Sequence, residues 1–133
     1  MTIKRMGVLA HPARPQTAPV AQRIAETLKL RGLDVWQFSQ WDETQIQQQI
    51  AGTDMVIAIG GDGTMLHAAR VCAPYDVPIL GVNMGYLGFL TEIRRAEDWI
   101  TSIDTILAER FWIEQRMMIT VMAKRAVAQA LGK

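Results

Sequence analysis

The chain has 133 residues, half of them apolar, and a formal net charge of +1. That length suits one domain with a sizeable core, and the near-balanced charge argues against both a disordered chain and the basic footprint of a nucleic-acid binder. A single cysteine, Cys72, excludes an internal disulfide, and no apolar run is long enough for a membrane span, so the expectation is a soluble, cytoplasmic domain.

Met6 to Ala10 reads as a first strand, and the prolines of His11-Pro12-Ala13-Arg14-Pro15 end it, because proline cannot donate to a sheet ladder. A helix is expected after Thr17, which would act as its N-cap, with Pro19 in the first turn. Val20, Ile24 and Leu28 recur every fourth residue beside Ala21 and Ala25, giving an inward stripe. Gly32 is the expected stop. His11 falls at the carboxyl end of the first strand, where ligands gather in open α/β sheets, although a lone histidine there is more often structural. Val35 to Phe38 is a second, short strand, and Gln45 to Ile50 suggests a short helix under the sheet edge.

Met55 to Ile59 reads as a strand buried on both faces, as in a parallel sheet. It runs into Gly60-Gly61-Asp62-Gly63-Thr64, and a helix follows from about Thr64 to Cys72, ahead of Pro74. Strand, glycine loop and helix start together bring backbone N–H groups and a helix dipole to bear on a phosphate. The glycines permit positive φ and close approach of a ligand to the backbone, and Gly61 and Gly63 are the positions expected to need one or the other. Asp62 would repel a bare phosphate, so it suits a hydroxyl proton or a metal ion. The bland alternative is a tight turn with no chemistry, for which three glycines would be a needless cost in stability. No G-x-x-x-x-G-K-[ST] occurs, and Leu66 stands where a dinucleotide fingerprint needs its third glycine.

Pro78 to Val82 is a fourth strand, entering Asn83-Met84-Gly85-Tyr86-Leu87-Gly88-Phe89-Leu90-Thr91-Glu92. Two successive parallel strands that end in glycine loops put both loops on one rim, around one cleft. Leu87 reads as core, whereas Phe89 either caps the core or stacks on a base. Ala96 to Arg110 is an expected helix with Glu97 and Asp98 in its first turn. Phe111 to Met122 alternates as an extended strand, and the alanine-rich tail from Lys124 to Lys133 suggests a helix.

Taken together, the Gly60–Thr64 stretch and the Gly81–Glu92 stretch resemble the NAD kinase family. The first motif alone is shared in related form with diacylglycerol and sphingosine kinases and phosphofructokinases, and the second narrows the resemblance. Glu109-Arg110-Phe111 and Arg116-Met117 fit as well, so the similarity reaches about Val121. It implies a three-layer, Rossmann-like α/β domain with a mostly parallel sheet. It also implies transfer of a phosphoryl group from ATP to the 2′-hydroxyl of the adenosine ribose of NAD, giving NADP, with a divalent metal, usually Mg²⁺. Asp62 matches the catalytic base. Gly61, Gly63, His67, Asn83 and Phe89 match positions that line the nucleotide site. Full-length members form homo-oligomers and carry a second, β-rich domain with an Asn-Glu or Asn-Asp pair; here Gln129-Ala130-Leu131-Gly132-Lys133 stands where that pair would come. Residues 1–133 are thus expected to form a single amino-terminal α/β domain without the β-rich one. The competing expectation is a non-catalytic module that binds nucleotide weakly or only associates with other chains.

Overall fold

In a computed structural model, the structure describes residues 3–11, 13–39, 42–83, 99, 103, 104, 107, 108, 117–121 and 127–131. Strands β1 (Arg5–Leu9), β2 (Asp34–Phe38), β3 (Met55–Gly60) and β4 (Ile79–Asn83) form one parallel sheet in the order β2-β1-β3-β4. Helices α1 (Thr17–Leu30), α2 (Glu43–Ile50) and α3 (Asp62–Cys72) connect them. A 3₁₀ turn, Ala73–Tyr75, leads from α3 toward β4.

Side chains alternate along β3, so a central strand that is apolar throughout feeds two cores at once. Met55, Ile57 and Ile59 join Met6, Val8 and the α1 stripe of Val20, Ala21, Ile24, Ala25 and Leu28. Trp99 and Ile103, both in helical backbone, pack into the same cluster, with Leu107 partly buried against it. Val56 and Ala58 face the other way, onto Ile46 and Ile50 of α2 and Ala68, Val71 and Cys72 of α3. The result is a three-layer α/β domain with a mostly parallel sheet, as the sequence implied.

Local signals place the helix ends. Gly32 follows α1 with φ +85°, the N–H of Leu33 bonds to the carbonyl of Leu28 at 3.2 Å, and that of Gly32 to Lys29 at 3.0 Å. This paired arrangement closes the last turn. Asp42 and Gln45 form a reciprocal capping box at the start of α2. Thr17 is not the N-cap: Gln16 holds that position and Thr17 is the first helical residue. Its hydroxyl is committed elsewhere, accepting from the N–H of His11 at 2.8 Å and donating to the carbonyl of Arg14 at 2.8 Å. Fully buried, Thr17 ties the β1–α1 loop to the helix.

The tail differs from the helix expected of it. Val127–Leu131 is a strand, β6, antiparallel to β5 (Met117–Val121), with Ile119 opposite Gln129. Alanine's helix preference is a small per-residue term, and pairing with a ready strand edge outweighs it. β5 accordingly lies within the strand expected over Phe111 to Met122 and has β6 as a neighbour. Most of the helix expected over Ala96 to Arg110 lies outside the described residues.

Candidate nucleotide site

Strand order reverses between β1 and β3: the chain steps from β1 to β2 on one side and returns to β3 on the other. In open α/β sheets the crevice at such a switch point, at the carboxyl ends of the strands, is where ligands bind. β1 delivers His11 to that rim, β3 delivers the Gly60–Thr64 loop, and β4 delivers Asn83. Gly60 and Asn83 are register partners. The ladder thus sets the start of the Gly60 loop beside the last residue of β4, and residues 84–92 lie outside the described residues.

Within the loop, Gly60 is the residue that glycine alone satisfies. Its φ is +152°, and a Cβ built there would collide with the Thr64 hydroxyl and lie 3.3 Å from Cδ2 of His11. For Gly61 and Gly63, of the two alternatives expected, positive φ is not the one that applies. Gly61 caps α3 in extended backbone (φ −131°), Gly63 is helical, and neither has positive φ. A Cβ at either would meet open space. What remains for them is close approach by something outside the fold. Asp62 is the first residue of α3, where backbone N–H groups have no intrahelical acceptor and the dipole is positive.

His67 lies one turn beyond Gly63 on α3, half-buried and close enough to His11 for their charges to interact. Burial, then the charge of Arg14, and more weakly His67, hold the His11 imidazole below its ordinary 6.5, against a backbone hydrogen bond that favours its charged form. Asn83 is brought to the rim as the last residue of β4. Phe89 lies outside the described residues. Sequence reasoning weighed His11 chiefly as structural and passed over Thr64. The signal for the latter was the spacing: Thr64 stands four residues after Gly60, where the first turn of a helix folds back over the strand end.

Among the described residues, no group of three or more His, Cys, Asp or Glu side chains could hold a metal ion. An open depression on the opposite rim is lined by Ile3, Lys4, Arg31, Gly32, Leu33 and Leu107. It is remote in the fold from the glycine loop, since it sits at the amino ends of the strands.

A parallel sheet with a glycine loop and helix start at its switch point defines a Rossmann-like, nucleotide-binding class of α/β domain. Residues 34–111 match the family described as the ATP-NAD kinase N-terminal domain. This chain belongs to the NAD kinase family. It is 34% identical over 116 residues to an NAD kinase of Dehalococcoides mccartyi, covering 87% of this chain and 40% of that protein. It is 37% identical over 131 residues to one from Syntrophotalea carbinolica, covering 92% and 46%. With one from Aromatoleum aromaticum the identity is 38% over 122 residues, covering 84% and 40%. The chain therefore spans less than half the length of the curated relatives it matches. No described helix is long and apolar enough to cross a membrane.

Proposed function

We propose that this chain forms the glycine-loop wall of an NAD kinase site, where ATP phosphorylates the 2′-hydroxyl of the adenosine ribose of NAD to give NADP. The observation that carries the reading is the ladder pairing of Gly60 with Asn83, which sets the end of β4 beside the glycine loop and the start of α3. In phosphoryl transfer, most of the rate comes from positioning and from neutralising charge. Amides at Gly61 to Thr64 supply fixed donors for phosphate oxygens, and open space over Gly61 and Gly63 lets a ligand reach that backbone. Asp62 is assigned as the general base that takes the 2′-hydroxyl proton, with His67, Asn83 and Phe89 lining the nucleotide site. A divalent metal, Mg²⁺, belongs to this reading as the companion of ATP. Homo-oligomer formation and a cytoplasmic location belong to the same proposal.

The second reading is a non-catalytic module that binds nucleotide weakly or only associates with other chains. One experiment separates the two. NADP formation from ATP, Mg²⁺ and NAD would be followed for this chain alone, and for a chimera that adds the carboxyl-terminal part of the Dehalococcoides mccartyi relative. We expect background activity from the first and turnover from the second. Asp62→Asn in the chimera should then lower kcat by about 10²–10⁴-fold with circular dichroism unchanged. Undiminished turnover in that variant would remove Asp62 from the mechanism.

A further inference from the structure

His11 lies outside residues 34–111, over which the family match extends, yet the fold brings it against the glycine loop. Two hydrogen bonds fix it there. Its backbone N–H donates to the buried Thr17 hydroxyl at 2.8 Å, and its Nδ1 accepts from the N–H of Ala13 at 3.0 Å. A ring nitrogen that accepts is unprotonated, so the proton of the neutral ring sits on Nε2. Desolvation and the neighbouring cation Arg14 favour that neutral form at pH 7. The Cδ2 edge, adjacent to Nε2, lies over Gly60.

The second observation is independent. Thr64 is only 4% exposed, and among the described residues its hydroxyl has no hydrogen-bond partner. The hydroxyl occupies the space that a side chain at Gly60 would fill, on the side where the His11 ring edge also packs. A buried hydroxyl without a partner is unfavourable and rare in folded proteins, unless a ligand or water completes it. Two neutral donors, Nε2–H and Oγ–H, thus flank the first turn of α3, whose own amides point outward with no acceptor in the helix.

We propose that His11 is a ligand-positioning residue, donating through Nε2–H to a phosphate oxygen of the nucleotide bound on the glycine loop, with the Thr64 hydroxyl as the second donor. This deepens the nucleotide-site reading above and rests on it. The phosphate belongs either to the phosphoryl donor or to the dinucleotide acceptor.

Calorimetric titration of the 133-residue chain with ATP and, separately, with NAD distinguishes these sources, and paired variants distinguish a ligand role from a structural one. His11→Asn keeps an acceptor for the Ala13 N–H but has no donor at the Nε2 position; His11→Gln keeps an amide donor at that reach and gives up the Ala13 bond. The ligand role predicts that His11→Asn weakens binding about 10-fold or more for one of the two nucleotides, and that His11→Gln restores most of it. Thr64→Val should raise the melting temperature, because an isosteric methyl replaces an unsatisfied hydroxyl, and yet weaken the same nucleotide; Thr64→Ser should bind as the parent does. Loss for ATP alone assigns the phosphate to the donor, and loss for NAD alone to the acceptor. If the parent binds and all four variants bind equally well, or if Gln is worse than Asn, the inference is overturned while the nucleotide site stands. A parent chain that binds neither nucleotide overturns the site reading itself, and this one with it.

Discussion

Three glycines in five residues of the loop carry different constraints. Gly60 has the positive φ and the crowded Cβ direction, whereas a Cβ at Gly61 or Gly63 meets nothing within 4 Å. The sequence shows that glycines are needed here but not which one the backbone requires, because that depends on how the first turn of α3 folds back on the strand. Gly60→Ala should therefore lower stability by about 1–3 kcal/mol from backbone strain, with the Thr64 clash added. Gly63→Ala should leave the fold as stable or raise it by up to about 1 kcal/mol, since alanine is the better helix former. The same Gly63→Ala should weaken nucleotide binding, because the added methyl stands where the ligand approaches the amides. Urea unfolding of both variants, paired with titration of Gly63→Ala, tests this; equal stabilities for the two would remove the distinction. Residue-scale chemistry elsewhere is quiet. Cys72 is buried, and desolvation pushes its thiol up to about 12, so it packs as a small apolar side chain.

At the scale of elements, periodicity in the sequence identified the strands and helices of the parallel sheet, and capping chemistry explains their ends. The N-terminus of α1 was misread because a threonine at a helix start usually caps it, while here Thr17 is spent on tying down the His11 loop. The tail was misread because alanine content reports helix preference and says nothing of an available strand partner. One packing constraint was invisible in the sequence. Gly7 on β1 is the register partner of Trp36 on β2, and a Cβ at Gly7 would run into the indole ring. That ring is 7% exposed, donates from Nε1 to the Thr53 hydroxyl at 2.9 Å, and lies against Phe38 with ring centroids 5.9 Å apart. Gly7→Ala should thus cost about 1–3 kcal/mol through overpacking. Thermal melting checks it, and pairing the substitution with Trp36→Leu should recover part of the loss relative to Trp36→Leu alone. If the two costs simply add, the indole is not what Gly7 accommodates.

For the molecule as a whole, the two cores share β3, and both ends of the sheet are built. At the amino-terminal end, Asp54 accepts from the backbone N–H groups of Lys4 and Arg5 at 2.7 and 3.0 Å, and Arg5 reaches Asp34 and Gln49. Those polar contacts hold strand ends together, whereas the carboxyl-terminal rim gathers glycines, His11, His67 and the Thr64 hydroxyl, which has no partner among the described residues. That asymmetry follows from topology, since the switch point leaves a crevice only where the connections diverge. The three-layer class and the position of the Gly60–Thr64 loop were legible because hydrophobic runs and glycines mark them locally. The closeness of His11 to Gly60 was not, because 48 intervening residues separate two adjacent strand ends, a proximity set by the β1–β3 register. The most direct measurement of where nucleotide binds is a ¹⁵N–¹H spectral titration of the labelled chain with ATP, then with NAD. Shifts are expected to concentrate at the amides of His11, Gly60 to Thr64 and Asn83. Shifts confined to Ile3, Lys4, Arg31, Gly32 and Leu33 on the opposite rim would contradict a site at the glycine loop.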